Sequence, residues 1–345
     1  MLHIEREIAE QPEILRRLLS EGSHTAKNIA RAIREFDPAF VCIAARGTSD
    51  NAGRYAQYLM GIQANLAVAL ATPSVHTLYE SPPNLSKALV IGISQSGQAA
   101  DVLRVLTDAR QQGALTVSIT NNPESPMAQD AAYHLDLMAG EEISVAATKT
   151  YTAQLTAVAM LGAALVNRAE LDDSLMHLPE FIAQTLETSG AVRERTERYR
   201  YMERFAVIGR GYNYCTAFEI SLKIKELCYI IGEEYSEADF RHGPIAVIRP
   251  GFPVIVIAPG GKTQALVIDL LQKLNAQDAE CIVIGSDETL QPYAQTFMRI
   301  PADIPEWLSP IAAVIPGQIF AMQLAQVKGY DIDQPRGLHK VTITE

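Results

Sequence analysis

The chain repeats itself at a fixed distance. Phe205-Ala206-Val207-Ile208-Gly209-Arg210-Gly211 reproduces the pattern of Cys42-Ile43-Ala44-Ala45-Arg46-Gly47, each run leading into Asn and a helical pattern, with the two Arg-Gly pairs 164 residues apart. Phe252-Pro253-Val254-Ile255-Val256-Ile257-Ala258-Pro259-Gly260-Gly261 falls at the same offset on the apolar run that ends in Gly97, and Cys281-Ile282-Val283-Ile284-Gly285 matches Leu115 to Ile119 within a couple of residues. One offset covering separate strand-turn-helix units argues for tandem duplication of a single domain. Apolar, β-branched runs alternate with helical periodicity in each copy, which predicts an α/β fold with a parallel, doubly wound sheet. The expected layout is helices over 1–34, a first domain over 35–170, a charged helical connector over 171–200, a second domain over 201–330 and a tail over 331–345.

Composition narrows the function. At 345 residues and 48% hydrophobic, the chain can bury two cores. A formal net charge of −11 without any Lys/Arg block argues against a nucleic-acid partner, so an anionic ligand must be held by local geometry. Cys42, Cys215, Cys228 and Cys281 have no metal-like spacing and read as reduced packing residues. The N-terminal residues are amphipathic and charged, unlike a signal peptide, and the apolar run 157–166 is too short to cross a bilayer. The expectation is a soluble, cytoplasmic protein with no membrane partner.

The run Leu89-Val90-Ile91-Gly92-Ile93-Ser94-Gln95-Ser96-Gly97 reads as a buried strand and tight turn, with a helix N-terminus following directly from Gln98. Such a place suits an anion, because the first helical N–H groups lack intrahelical acceptors and Ser94 and Ser96 add hydroxyl donors. The same residues could also be a simple cap and connection. The second copy has Ala258-Pro259-Gly260-Gly261 there, without hydroxyls, and this difference between copies favours a ligand role in the first. Ligands of open parallel sheets bind beyond the carboxyl ends of the strands, which puts Arg46-Gly47-Thr48-Ser49, 94–97 and Asn121-Asn122 on one rim.

The second copy contributes a helix from Phe218 to Cys228. Ile220, Ile224, Leu227 and Ile231 fall on a core stripe, with Glu219, Lys223 and Glu226 in a row beside it. That row is either an ion-pair ladder or a partly desolvated carboxylate suited to general-base work. His242 follows an acidic run, and Pro335-Arg336-Gly337 before alternating Val341 and Ile343 suggests a docked tail carrying Lys340.

Taken together, Arg46-Gly47-Thr48-Ser49, Ile93-Ser94-Gln95-Ser96-Gly97, Val145-Ala146-Ala147-Thr148-Lys149, Leu222-Lys223-Ile224-Lys225-Glu226, Arg241-His242-Gly243-Pro244 and Gln334-Pro335-Arg336-Gly337-Leu338-His339-Lys340 resemble the double sugar-isomerase (SIS) domain family, in particular the isomerase part of glucosamine-6-phosphate synthase. The resemblance implies two flavodoxin-like SIS domains and a sugar-phosphate substrate bound by Gly47, Thr48, Ser49, Ser94, Gln95, Ser96, Val145 and Ala147. It implies Glu226 as the base moving a proton between C1 and C2 with Lys223 beside it, His242 assisting ring opening from a neighbouring subunit of a homodimer, and Lys340 reaching the open-chain carbonyl. It implies no metal and no organic cofactor. Gln98-Ala99 and Ala147 stand where the synthase pattern has hydroxyl-bearing residues, and no glutaminase segment is read, so synthesis from glutamine is not expected. The Gly140-Glu141-Glu142 and Val145-Ala146-Ala147 loop resembles glucosamine-6-phosphate deaminases. A fructosamine-6-phosphate deglycase, another aldose-ketose phosphosugar isomerase and a noncatalytic phosphosugar-binding regulator are the alternatives.

Overall fold

The computed structural model describes residues 2–338 and residue 340. Strands β1 (Phe40–Ala44), β2 (Val68–Leu70), β3 (Ala88–Ser94), β4 (Leu115–Thr120) and β5 (Tyr133–Asp136) form one five-stranded sheet, and β6 (Arg204–Gly209), β7 (Ile231–Ser236), β8 (Pro253–Ala258), β9 (Glu280–Gly285) and β10 (Thr296–Arg299) form another. Every pairing is parallel. The orders are β2-β1-β3-β4-β5 and β10-β9-β8-β6-β7, the same topology read from opposite edges. All residues of β3, β8 and β9 are buried, the consequence of covering a parallel sheet with helices on both faces, and this is why these strands read as continuous apolar runs.

The duplication persists at the level of single residues. The helices Ala100–Gln111 and Gln264–Asn275 have equal length at the same offset of 164. The helices Thr48–Ala64 and Tyr214–Cys228 both end on a left-handed residue, Asn65 at φ 55° and Tyr229 at φ 58°. Tyr229 closes the second helix before Ile231, which lies in β7 and is 69% exposed; the core stripe of that helix therefore stops at Leu227.

The chain divides into two compact units that cut across the sequence order. The first-copy unit contains 13–142, 149–178 and Lys340; the second-copy unit contains 2–12, 143–148 and Pro179–Leu338. The helix His3–Ala9 thus belongs with the second copy, where Ile4 and Ile8 are buried and the helix contacts Ser309–Val327. The charged stretch expected to be a solvated connector keeps its charges outward but buries Leu178, Ile182, Val192 and Tyr199. Arg193 pairs with Glu5 at 2.7 Å and Arg198 with Glu280 at 2.5 Å, so this stretch is packed structure, since its apolar residues recur at helical spacing between the charges.

Among the described residues one helix, Ser309–Val327, is long and apolar enough to cross a membrane by length and composition, and 83% of that window is buried as the unit's core helix. It packs tightly on Tyr214–Cys228: a Cβ at Gly317 would sit 2.4 Å from Ile220 Cγ1. The four cysteines are buried and unbridged, and burial pushes the thiols of Cys42 up to about 11 and of Cys228 and Cys281 up to about 12.

Candidate active site

In the first-copy unit β3 ends at Ser94, and the turn that follows folds its hydroxyls inward. Ser94 Oγ accepts the Gly97 N–H at 3.1 Å, and Ser96 Oγ accepts the Gln98 N–H at 3.3 Å. The helix begins at Ala100, later than the sequence suggests, and its cap Ala99 makes no side-chain hydrogen bond. Ser94 and Ser96 are therefore turn residues rather than helix caps. Each hydroxyl already accepts a backbone N–H, which leaves its own proton as a donor toward an anion. Gln95 is half-buried, and its carbonyl accepts the Asn121 N–H at 3.0 Å, fastening the turn to the end of β4.

Gly97 fixes the turn's shape. Its φ is +67°, and a Cβ would meet Ser125 Oγ at 2.2 Å. Gly97→Ala is expected to destabilise the fold by at least about 1–2 kcal/mol, the cost of a left-handed non-glycine residue, with the clash in addition. Urea unfolding checks this; an unchanged midpoint would mean that the turn is not held as described.

The rest of the rim is braced from behind. Arg46 donates to the fully buried Asp101 at 2.7 Å while remaining half exposed, which places a cation on the rim. Gly47 precedes the helix Thr48–Ala64 at φ 53°, with Thr48 as its first residue, and Ser49 Oγ accepts from the buried Gln154 Nε2 at 2.9 Å. Asn121 binds Gly140 O through Nδ2 at 2.7 Å and the Ala139 N–H through Oδ1 at 2.8 Å.

The equivalent turn of the second copy already holds an acid group. The Lys262 N–H donates to Glu306 Oε2 at 3.1 Å, the Gly260 N–H donates to Ser286 Oγ at 2.8 Å, and Gly261, at φ +118°, lies so close that a Cβ would be 2.4 Å from Glu306 Oε2. The second copy has lost the hydroxyls but keeps an anion of its own at the turn.

The helix Tyr214–Cys228 supplies the charged row. Glu219 and Lys223 are 0% and 1% exposed, whereas the Glu226 side chain is 22% exposed. Lys223 Nζ lies 2.6 Å from Glu226 Oε2 and 3.4 Å from Glu219 Oε1, an ammonium between two carboxylates. His242 is exposed just after the short helix Glu237–Arg241, and its N–H donates to Asp239 O. The nearby acids face other groups: Glu237 receives Arg210 and Arg241, and Asp239 receives the Ser236 hydroxyl at 2.6 Å.

Lys340, in the first-copy unit, donates to Glu142 Oε2 at 2.8 Å. The Glu142 carboxylate is buried and also accepts the Thr150 N–H at 3.1 Å and Thr150 Oγ1 at 2.8 Å. The sequence pattern gives Glu142 no role of its own; the acidic pair Glu141-Glu142 just before a small-residue loop is its only signal. His339, Val341 and Ile343, the last two carrying the expected alternation of the tail, lie outside the described residues. Val145 and Ala147 are half-buried in the loop 143–148 of the second-copy unit. The predicted residues therefore occupy two sets: Gly47, Thr48, Ser49, Ser94, Gln95, Ser96 and Lys340 in one unit, and Val145, Ala147, Lys223, Glu226 and His242 in the other.

Comparison with known proteins agrees with this architecture. The SIS domain family matches residues 39–164 and 200–328. A glutamine–fructose-6-phosphate aminotransferase (isomerizing) of Aquifex aeolicus strain VF5 is 36% identical over 99% of the chain, which spans 57% of that relative's length. Among solved structures, a protein of Silicibacter pomeroyi DSS-3 provisionally assigned as a phosphosugar isomerase superposes with a TM-score of 0.88 at 31% identity, covering 96% of this chain and 100% of that one. The C-terminal domain of glucosamine-fructose-6-phosphate aminotransferase from Francisella tularensis gives 0.87 at 25% identity, covering 96% and 98%.

Proposed function

This chain belongs to the SIS domain family, and from that premise we propose that it is a phosphosugar enzyme of the aldose-ketose type acting on glucosamine 6-phosphate. The observation that carries the reading is Glu226, a solvent-reachable carboxylate fixed beside a fully buried ammonium. A regulator that only binds a phosphosugar needs the phosphate turn but no solvent-reachable carboxylate. The phosphate goes to the Ser94–Ser96 hydroxyls, a role supported by the carboxylate already seated on the matching turn of the second copy.

On the open-chain sugar Glu226 takes the C2 proton and returns it to C1. O1 takes up a proton and the C2 nitrogen gives one up, so the C1 aldehyde becomes a hydroxymethyl group and the C2 amine an imine, which water hydrolyses to fructose 6-phosphate and ammonia. One positioned carboxylate contributes about 10²–10⁴-fold to such a transfer. His242 assists ring opening from the partner copy of a homodimer, and Lys340 leaves Glu142 to meet the carbonyl.

Incubation with glucosamine 6-phosphate is expected to release ammonia and fructose 6-phosphate in equal amounts. Neither product, with the sugar phosphate still bound, would overturn the deaminase; ketose phosphate formed from an aldose phosphate that carries no amine, with glucosamine 6-phosphate left intact, would identify a plain isomerase.

A further inference from the structure

The second-copy unit contains a buried carboxylate to which neither the sequence pattern nor the proposed chemistry gives a role. Glu7, on the helix His3–Ala9, is 0% exposed. Its Oε1 accepts the N–H groups of Ile143 at 2.5 Å and Ser144 at 3.3 Å, and its Oε2 accepts Ser144 at 3.3 Å. These are the first two residues of the loop that carries Val145 and Ala147. The far end of the loop is held as well: Gln318 Nε2 donates to Thr148 O at 3.3 Å, and Gln318 Oε1 accepts from Gln11 Nε2 at 3.1 Å, which also donates to Ile8 O at 2.9 Å.

We propose that Glu7 is a positioning residue for substrate: with Gln11 and Gln318 it clamps both ends of the loop 143–148, so that the N-terminal helix sets the wall against which the sugar lies. The proposal rests on the reading above that Val145 and Ala147 face the sugar phosphate. The physical argument is one of alternatives. A carboxylate is costly to bury, and its stabilisation here comes from backbone N–H groups, charge-assisted hydrogen bonds that are stronger than neutral ones. A loop with irregular backbone has many conformations of comparable energy, and two N–H groups bound at one end with a carbonyl at the other remove most of them. The phosphate turn belongs to the other unit and draws on none of these bonds.

The test uses the whole chain with Glu7→Gln and, as a second variant on the opposite end of the clamp, Gln318→Leu. Amide hydrogen exchange at Ile143 and Ser144 is expected to accelerate in Glu7→Gln. The affinity for glucosamine 6-phosphate is expected to fall about 10- to 100-fold, a misplacement of about 1 Å being able to cost up to that order, while inorganic phosphate binds as to the unmodified protein. Gln318→Leu should weaken sugar binding in the same way and leave the two amides protected. Unchanged exchange at Ile143 and Ser144 overturns the clamp. Accelerated exchange with unchanged sugar affinity overturns the positioning role, as does an equal loss of inorganic phosphate binding, which would indicate general damage. If the unmodified protein binds no glucosamine 6-phosphate, the functional reading fails and takes this proposal with it; binding that both variants leave unaltered removes this proposal alone.

Discussion

Glu226→Gln is expected to slow exchange of the C2 proton of glucosamine 6-phosphate by about 10²–10⁴-fold, with inorganic phosphate bound as before. The substitution keeps the shape of the side chain and removes its capacity to take a proton. The fold should tolerate it, because Lys223 retains Glu219 at 3.4 Å and Glu226 is partly exposed already. Phosphate binding should not change, because the Ser94–Ser96 hydroxyls are oriented by the N–H groups of Gly97 and Gln98, which owe nothing to this helix. Proton NMR of the sugar in D2O reads the exchange directly. A rate within twofold of the unmodified protein would remove Glu226 from the role of base.

Lys223→Met should act on the fold as well as on the chemistry. The Lys223 side chain is 1% exposed and lies between two carboxylates, one of them fully buried. Methionine fills similar space but leaves Glu219 in the interior without that ammonium, and breaking a buried pair from one side costs on the order of 3–5 kcal/mol. Urea unfolding is expected to show a loss of this size. Adding Glu219→Leu should recover a large part of it, since replacing both charges by apolar groups is often neutral. A loss below about 1 kcal/mol would mean that Lys223 has no structural share, and no recovery in the double variant would mean that the loss does not come from stranding Glu219.

Much of the architecture was legible because it depends on local periodicity. The apolar runs at 40–45, 89–94, 115–120, 205–209, 253–258 and 281–285 are strands of parallel sheets, and the constant offset reappears in helix lengths and in the left-handed caps Asn65 and Tyr229. The row Glu219, Lys223 and Glu226 was visible for the same reason, since helical spacing places it beside Ile220, Ile224 and Leu227. Ser94 and Ser96 stood out only against the second copy, which lacks both hydroxyls.

Other features depend on which distant groups meet, and no spacing rule reports that. Glu7 meets Ser144 across 137 positions and Lys340 meets Glu142 across 198. The start of the helix at Ala100 and the end of the core stripe at Leu227 were set by backbone geometry at Ala99 and Tyr229, where side-chain patterning is silent. The N-terminal residues illustrate the difference most directly: helical periodicity announced a helix, and only packing assigned residues 2–12 to the second copy.

By itself the sequence determined the duplicated α/β sheets, the hydroxyl turn after β3 and the charged row on the Tyr214–Cys228 helix, because each follows from the order of side chains along a few turns or strand residues. The tertiary structure decided which carboxylate serves which partner. Glu306 occupies the second turn, Glu142 holds Lys340, and Glu7 holds the loop 143–148. An ionised group taken from water must find donors wherever the fold brings them, and those donors are placed by three-dimensional packing rather than by neighbours in the chain.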